Sequence, residues 1–368
     1  MTIGQNRTKS DNKLLLIGQI MKTHSLTIST EMLNLISEID KFQGGWNILH
    51  NMTPERLEQL RYVATIESIG SSTRIEGAKL TDTEVGNLLG RIGKESFKTR
   101  DEQEVAGYAR VMETIFQNYE YIPLTENYIK QLHSMLLQYS DKDERHRGGY
   151  KTLNNHVEAF DADGHSLGVV FKTATPFDTP RLMADLLKWT TETLEDKAYH
   201  PLIAVGVFNV VFLAIHPFQD GNGRLSRVLA TLLLLKAGYS YVPYSSLESI
   251  IERNKNSYYL ALRRTQGTLD DERPDWLPWL EFFLRSLKRQ KDHLVTKMEE
   301  NKGWDGLPAD SVRILEFLSQ HHRITAKEAE ELTGTLKTTL KNRFKELTEK
   351  GLIVRYGKGR ATWYGLNK

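Results

Sequence analysis

Two long apolar runs, residues 204–215 and 228–235, constrain the fold most, because they flank a polar segment at 216–227. Both runs are shorter than the roughly 18 to 20 apolar residues that a membrane span needs, and Asn209 interrupts the first. We therefore predict two core helices. The polar segment then forms a turn that leads into the N-terminus of the second helix, where unpaired N–H groups and the helix dipole favour anions.

Apolar residues recur at helical spacing elsewhere in the first three hundred residues, in segments 32–39, 57–66, 105–115 and 129–136. Segment 148–171 breaks this pattern with glycine and asparagine turns around short β-prone pieces, which predicts an inserted β-hairpin. After a linker at 304–308, three helical patterns and a hairpin resemble a winged helix. The expected fold class is mainly α, with a hairpin and a small C-terminal winged-helix-like domain.

Composition excludes several classes of site and partner. The chain has 49 Lys and Arg against 47 Asp and Glu, a balance too even to indicate nucleic acid. It has no cysteine, which excludes disulfides, thiolate nucleophiles and cysteine zinc sites, and is compatible with a reducing cytoplasm. Its polar N-terminus lacks the apolar segment of a secretory signal, so we expect a cytoplasmic protein without membrane contact.

The polar segment contains the residue types of a phosphate site. Gly221 and Gly223 permit close backbone approach, and Asn222 suits a left-handed conformation between them. Arg224 and Arg227 lie three residues apart at the start of the second helix, where their guanidinium groups can hold two phosphates of one polyphosphate.

The same segment carries groups for proton transfer and metal binding. His216 is a suitable general base for a hydroxyl at neutral pH, and Asp220 is a hard oxygen ligand for Mg²⁺. Phe218 is interpreted as the apolar anchor of the loop. Taken singly, His216 could cap the preceding helix and the arginines could form ion pairs; taken together, the set favours group transfer to a hydroxyl.

The segment is similar to the signature of Fic-domain proteins, His-x-Phe-x-(Asp/Glu)-Gly-Asn-Gly-Arg-x-x-Arg, and matches it at every position. The resemblance covers roughly residues 55–290. It implies a helical Fic fold and transfer of AMP from ATP to a Ser, Thr or Tyr hydroxyl of a target protein. It also implies that His216 is the base, Asp220 holds Mg²⁺, residues 221–224 bind phosphates and Arg227 binds the γ-phosphate.

The resemblance assigns roles to two flanking segments. It makes the hairpin, near 150–175, a flap that docks the target by strand addition. The flap residues expected at this contact are Val169, Val170, Phe171 and Lys172. Segment 254–262 looks like the adenine-contacting helix of the family, with Tyr259 and Leu262 as contacts; core packing is the alternative for this aromatic stripe.

The sequence Ser72-x-x-x-Glu76-Gly77 resembles the inhibitory motif of the family, (Ser/Thr)-x-x-x-Glu-(Gly/Asn). In this interpretation, Glu76 pairs bidentately with Arg227 and displaces the γ-phosphate, Ser72 lies one turn earlier on the same face, and Gly77 ends the helix. The alternative is a surface glutamate one turn from a serine. The expected division is an N-terminal helical region (1–100), a catalytic core (101–300) and the C-terminal domain (305–368).

Other functions stay open from the sequence. The same pocket could remove AMP or transfer another phosphoryl or nucleotidyl group. The chain could instead be a nucleotide-sensing DNA-binding regulator, and the basic residues that could meet DNA phosphates are Lys337, Lys341, Arg343, Lys345, Lys358 and Arg360. These residues could equally form a solvated face. Self-modification and a homodimer are both compatible with the sequence, which does not identify the target.

Overall fold

Helices make up most of the described chain in the computed structural model of this protein, so the mainly α fold class is confirmed. The structure describes residues 23, 25–46, 54–90, 97–155, 157–160, 166–300, 304, 307–359 and 362–367. Among the described residues, five α-helices precede the hairpin: α1 (Thr30–Trp46), α2 (Pro54–Ile75), α3 (Asp82–Leu89), α4 (Arg100–Asn118) and α5 (Glu126–Leu136). The helices that follow it are α6 (Thr179–Glu195), α7 (Pro201–Ile215), α8 (Asn222–Lys236), α9 (Leu247–Arg253), α10 (Lys255–Gln266) and α11 (Leu277–Glu300).

The two apolar runs form α7 and α8, which pack against each other at the centre of the larger hydrophobic core. Every residue of α7 after Pro201 is buried, as expected for a helix that is apolar on all sides. The helix ends because His216 takes a left-handed φ of 52°. The second helix begins at Asn222, three residues before the first apolar residue of its pattern, because Gly221 forms its N-cap with φ 78°.

The C-terminal end of helix α2 lies beside the start of α8. Helix α2 packs against α4, α8 and α9, and its C-terminal part is buried through Ser72 and Thr73. The helix ends at Ile75, and Gly77 turns the chain with φ 106°, a value that glycine adopts at little cost. The side chains of Ser72 and Glu76 are thereby held close to the start of α8.

The predicted hairpin is present as strands β1 (Val157–Phe160) and β2 (Ser166–Phe171). They pair antiparallel, with Val157 opposite Phe171 and Glu158 opposite Val169. Within the described part of the chain, no further strand pairs with this two-stranded sheet. Its outer edges therefore keep backbone N–H and C=O groups that can form hydrogen bonds with an extended peptide.

Residues 307–359 and 362–367, called the C-terminal module from here on, have a hydrophobic core of their own. The elements are α12 (Ala309–Gln320), α13 (Ala326–Thr333), α14 (Lys337–Glu349), β3 (Ile353–Tyr356) and β4 (Trp363–Leu366). A capping box of Thr325 and Glu328 starts α13. Ile324 bridges to Tyr364, and the module packs on the larger core through α12 against α2 and α13 against α3.

No helix in the described ranges has both the length and the apolar character needed to cross a membrane.

Candidate active site

His216 stands at the C-terminal end of α7 and is only partly accessible to solvent. Its Nδ1 lies 3.3 Å from the carbonyl oxygen of Leu213, which favours the tautomer with the proton on Nδ1 and a lone pair on Nε2. Burial, with a smaller contribution from the nearby Lys151 cation, lowers the pKa of His216 to about 4. The ring is therefore neutral at physiological pH, the form that can accept a proton.

Asn222 closes the loop between the two central helices. Its Oδ1 accepts a hydrogen bond of 2.9 Å from the Phe218 amide, and its Nδ2 donates one of 2.7 Å to the Phe218 carbonyl. The expectation that Asn222 is left-handed is wrong: Gly221 adopts that conformation, and Asn222 begins α8. A contact of Asn222 with phosphate stays a prediction, since its side chain is already bonded to the loop.

The anchoring role predicted for Phe218 agrees with its burial against His133, whose ring stacks on it at 3.8 Å. The Gly148 amide donates to His133 Nδ1 at 2.9 Å, and His133 Nε2 lies 3.0 Å from the Asp220 carbonyl oxygen. Burial lowers the pKa of His133 to about 4, so Nε2 is the protonated nitrogen that donates to Asp220. The sequence does not reveal this residue, because a single histidine in an amphipathic helix has no distinguishing pattern.

A buried lysine supports the loop from the opposite side. Lys151 Nζ donates to the Ile215 carbonyl and Asn155 Oδ1, both at 2.9 Å, and to Thr173 Oγ1 at 3.1 Å. Asn155 in turn donates from Nδ2 to the Phe218 carbonyl at 2.6 Å. Burial lowers the pKa of Lys151 to about 7. Sequence reasoning missed Lys151 and Asn155, which lie more than 60 residues before Ile215 and Phe218, the residues that they bond here.

Asp220 lies among cationic groups. Its Oδ1 is 3.4 Å from Arg224 Nη2, and its Oδ2 is 3.8 Å from both Arg100 and Lys142. Burial alone would raise the pKa of Asp220, but Arg224 and the Gly221 amide outweigh it and keep the pKa below its ordinary value. Arg224 also contacts Glu104 at 3.3 Å and is itself buried. The Asp220 carboxylate is therefore ionised and oriented.

The described residues contain no group of three His, Asp or Glu side chains that could hold a metal ion. A Mg²⁺ ion at Asp220 would need substrate phosphates for most of its other ligands, which is the usual way that proteins bind this ion with nucleotides. An ionised, partly exposed carboxylate at the start of α8 fits that arrangement.

Arg227 is buried in α8 and bonded to both residues of the predicted inhibitory motif. Its Nη2 donates to Glu76 Oε1 at 2.7 Å and to the Ser72 carbonyl at 2.9 Å, and its Nε donates to Ser72 Oγ at 2.8 Å. The expected bidentate pair with Glu76 is wrong: Glu76 accepts from Nη2 alone, and Ser72 accepts from Nη2 and Nε. Burial alone would lower the pKa of Arg227, but the Glu76 carboxylate more than compensates and raises it.

Glu76 also lies against the glycine of the phosphate segment, since a Cβ added to Gly223 would overlap its carboxylate. Arg227 Nη1 is buried without a hydrogen-bond partner among the described residues. The glutamate thus fills space beside the N-terminus of α8 while one arginine donor stays unused. An anion that displaced the Glu76 side chain would meet both this donor and the helix N-terminus.

Helix α10 borders the same site. Tyr259 is half-buried, and its pKa is raised first by burial and then by the nearby Glu76 carboxylate. Tyr258, which sequence reasoning missed, is buried and has Arg227 and Glu76 among the charges that act on it. Leu262 is a buried member of the larger core, which favours the packing alternative for that residue.

The flap residues are placed only in part. Val169 pairs with Glu158 in the hairpin, Phe171 ends β2 half-buried, and Lys172 follows it exposed. The side chains of Val169 and Val170 lie outside the described part of the structure. A docking role for these residues stays a prediction.

Comparisons with known proteins agree with the predicted family. The model of the Fic/DOC family matches residues 123–234. Protein adenylyltransferase Fic of Drosophila yakuba is 26% identical over 230 residues, which is 62% of this chain and 42% of the fly protein. A probable protein adenylyltransferase of Aquifex aeolicus is 29% identical over 99 residues, 27% of this chain and 28% of that protein. This chain thus spans less than half the length of these relatives.

Solved structures show the same fold. A Fic family protein from Desulfovibrio desulfuricans has a TM-score of 0.60 and 24% identity, covering 93% of this chain and 97% of that one. A Fic domain containing signaling protein from Bacteroides thetaiotaomicron has a TM-score of 0.56 and 22% identity, covering 73% and 96%.

Proposed function

We propose that this chain, which carries a Fic/DOC domain, is a protein adenylyltransferase whose activity is restrained by its own Glu76. One observation carries the proposal: the neutral His216, the N-terminus of α8 and the buried Arg227 belong to one fixed segment, and Glu76 already holds the arginine. The relatives named as adenylyltransferases support the choice of AMP as the transferred group.

In the proposed reaction, ATP lies with its phosphates at the N-terminus of α8, where Gly221 and Gly223 allow close approach. Arg224 and Arg227 neutralise the phosphate charge, and Tyr259 lies beside the adenine. His216 Nε2 removes the proton of the target hydroxyl, whose oxygen bonds to the α-phosphorus while the bond to the pyrophosphate oxygen breaks. Bound at Asp220 and the phosphates, Mg²⁺ would supply charge neutralisation at the leaving group.

The target is proposed to be a protein segment that binds in an extended conformation along the hairpin. The support is the two-stranded sheet, whose outer edges are unpaired within the described residues. Strand addition uses backbone hydrogen bonds and therefore orients a hydroxyl with little demand on sequence. The hydroxyl of a loop in another copy of this chain, or in the same chain, is an acceptor that satisfies this chemistry.

Intact-mass analysis of the Glu76→Gly protein after incubation with ATP and Mg²⁺ tests the proposal. We expect a mass gain of one or more adenylyl groups, with no gain in the Glu76→Gly/His216→Ala protein. ATP labelled at the α-phosphate should label a co-incubated protein or the chain itself, whereas ATP labelled at the γ-phosphate should label nothing. Labelling by the γ-phosphate would replace AMP transfer with phosphoryl transfer.

Removal of AMP is a second candidate, because the Glu76 carboxylate is one-third exposed beside the loop and could orient water. Incubation of an AMP-modified acceptor with the wild-type protein separates the two activities. Release of AMP that is lost in Glu76→Gly would favour removal.

A further inference from the structure

Helix α14 presents one polar face that no other part of the described structure covers. The helix packs on α12, α13 and β3 through Leu340, Phe344 and Leu347, and it is the other two helices of the module that contact α2 and α3. The exposed residues on its outer side are Lys337, Thr338, Lys341, Asn342, Lys345, Thr348 and Glu349. At 100° per residue they fall within an arc of about 140°, which is separate from the arc of the buried side chains.

The net charge of the C-terminal segment that carries this face differs from that of the rest of the chain. Residues 307–368 contain 12 Lys and Arg against 7 Asp and Glu, a net charge of +5, although the whole chain has only +2. Lys358 is exposed in the turn between β3 and β4. Two of the lysines on this face have an acidic neighbour: Glu349, in the last turn of α14, is 3.8 Å from Lys345, and Glu330 of α13 is 3.3 Å from Lys337.

Two of the basic residues expected to meet DNA do not belong to this face. Arg343 is half-buried and pairs with Asp310 at 2.9 Å, which fixes α14 to the start of α12. Arg360 lies outside the described residues. The face is therefore defined by Lys337, Lys341 and Lys345.

We propose that the C-terminal module binds double-stranded DNA, with α14 in the major groove and the β3–β4 turn against the backbone. The three lysines would contact phosphates, and Asn342 has the amide that pairs with the N6 and N7 atoms of adenine. Leu336, 73% exposed at the N-terminus of α14, can contact a thymine methyl group. This inference does not depend on the proposed AMP transfer.

The composition of the face favours DNA over other partners. A protein interface has an apolar, desolvated centre, whereas this face has lysine and amide groups at its centre and a single leucine at one end. The deep, narrow major groove of RNA helices does not admit an α-helix. The wide major groove of B-form DNA does.

Fluorescence polarisation of a labelled duplex of about three helical turns tests the proposal with the full chain. Each phosphate contact changes the slope of log affinity against log salt by about 0.9, so Lys341→Glu/Lys345→Glu should reduce that slope by about 2. Affinity should fall at least tenfold at the lower end of a range of about 50 to 200 mM salt. The matched control is Lys41→Glu/Lys188→Glu, which makes the same charge change at exposed residues of α1 and α6.

Selection from a random duplex pool then tests base contact. The selected sites should contain a preferred adenine, and Asn342→Ala should lose that preference while keeping most of the affinity. Equal binding by wild type and Lys341→Glu/Lys345→Glu, an equal loss in the control, or tighter binding of an RNA hairpin than of DNA would each overturn the proposal. Matching thermal midpoints of all variants exclude loss of folding as the cause.

Discussion

Replacing Glu76 with glycine removes the carboxylate that holds Arg227 Nη2 at 2.7 Å. Hydrogen bonds to charged groups contribute about 1.5–3 kcal/mol, and ATP must replace this one before its terminal phosphate can use the same donor. Since 1.4 kcal/mol corresponds to a factor of ten, the transfer rate at subsaturating ATP should rise roughly 10- to 150-fold. The 33% exposure of the Glu76 side chain places the effect nearer the lower end of that range.

The assay is incorporation of α-labelled ATP into the chain itself and into added protein, measured as an initial rate over a range of ATP concentrations. Glu76→Gln is the isosteric control, because it keeps the side-chain volume beside Gly223 and loses the charge. We expect an intermediate rate for it. Ser72→Ala removes the acceptor of Arg227 Nε but leaves Glu76 in place, so its rate should stay within a few-fold of wild type.

Equal rates for wild type, Glu76→Gly and Glu76→Gln would refute the reasoning, provided that His216→Ala gives no incorporation and all four proteins unfold at similar temperatures. A large increase in Glu76→Gly with none in Glu76→Gln would show that the occupied volume, rather than the charge on Arg227, restrains the reaction.

Three further predictions concern pH and packing. Because the pKa of His216 is lowered to about 4, kcat/KM of Glu76→Gly should fall only below about pH 5, and a fall centred near the ordinary histidine value of 6.5 would contradict this. Burial raises the pKa of Glu316 from 4.5 to about 7, so the folded protein holds a proton that the unfolded chain releases. The free energy of unfolding should therefore drop by up to about 3 kcal/mol as the pH rises between these two values. Thermal unfolding measured over the same pH range should show no such drop for Glu316→Gln. A Cβ at Gly107 of α4 would overlap a backbone carbonyl of α5, so Gly107→Ala should lower the free energy of unfolding, measured with denaturant, by about 1–3 kcal/mol. The control is Gly44→Ala in α1, which has open space around it and should leave the free energy of unfolding unchanged or raise it.

The parts of the fold that the sequence predicts are those with a local physical cause. Pro201 and a long apolar run specify α7, and Thr325 with Glu328 specifies the start of α13. The choice between Gly221 and Asn222 for the left-handed position was wrong. Both residues tolerate that conformation, and the bonds from Asn222 to Phe218 decide between them.

The supporting residues of the site have no such local cause. His133 reaches Asp220 across 87 residues, and Lys151 reaches Ile215 across 64. Neither has a characteristic spacing, because each contact depends on how α5 and the segment before the hairpin fold against α7. A single sequence therefore predicts the candidate reacting groups of this site but not the groups that hold them in position.

These supporting contacts bear on how the proposed inhibition works. Lys151, Asn155 and His133 bond to the loop without involving Glu76, so the loop geometry does not depend on the glutamate. Glu76 contacts Arg227 and lies against Gly223, so the proposed release requires a movement at the end of α2 rather than refolding of the site.

Helix α2 is also the element on which the C-terminal module rests. Gln59 donates to the Ala309 carbonyl, and the Arg313 guanidinium lies 4.9 Å from the ring centre of Tyr62. Three to four turns separate Tyr62 from Ser72 and Glu76 in the same continuous helix and its end. A partner that shifted the module would therefore act on the helix that carries the glutamate, and DNA added to the transfer assay would measure that coupling directly. A change in wild-type rate that disappears in Glu76→Gly would locate the coupling at the Arg227 contact, whereas an equal change in both proteins would exclude it.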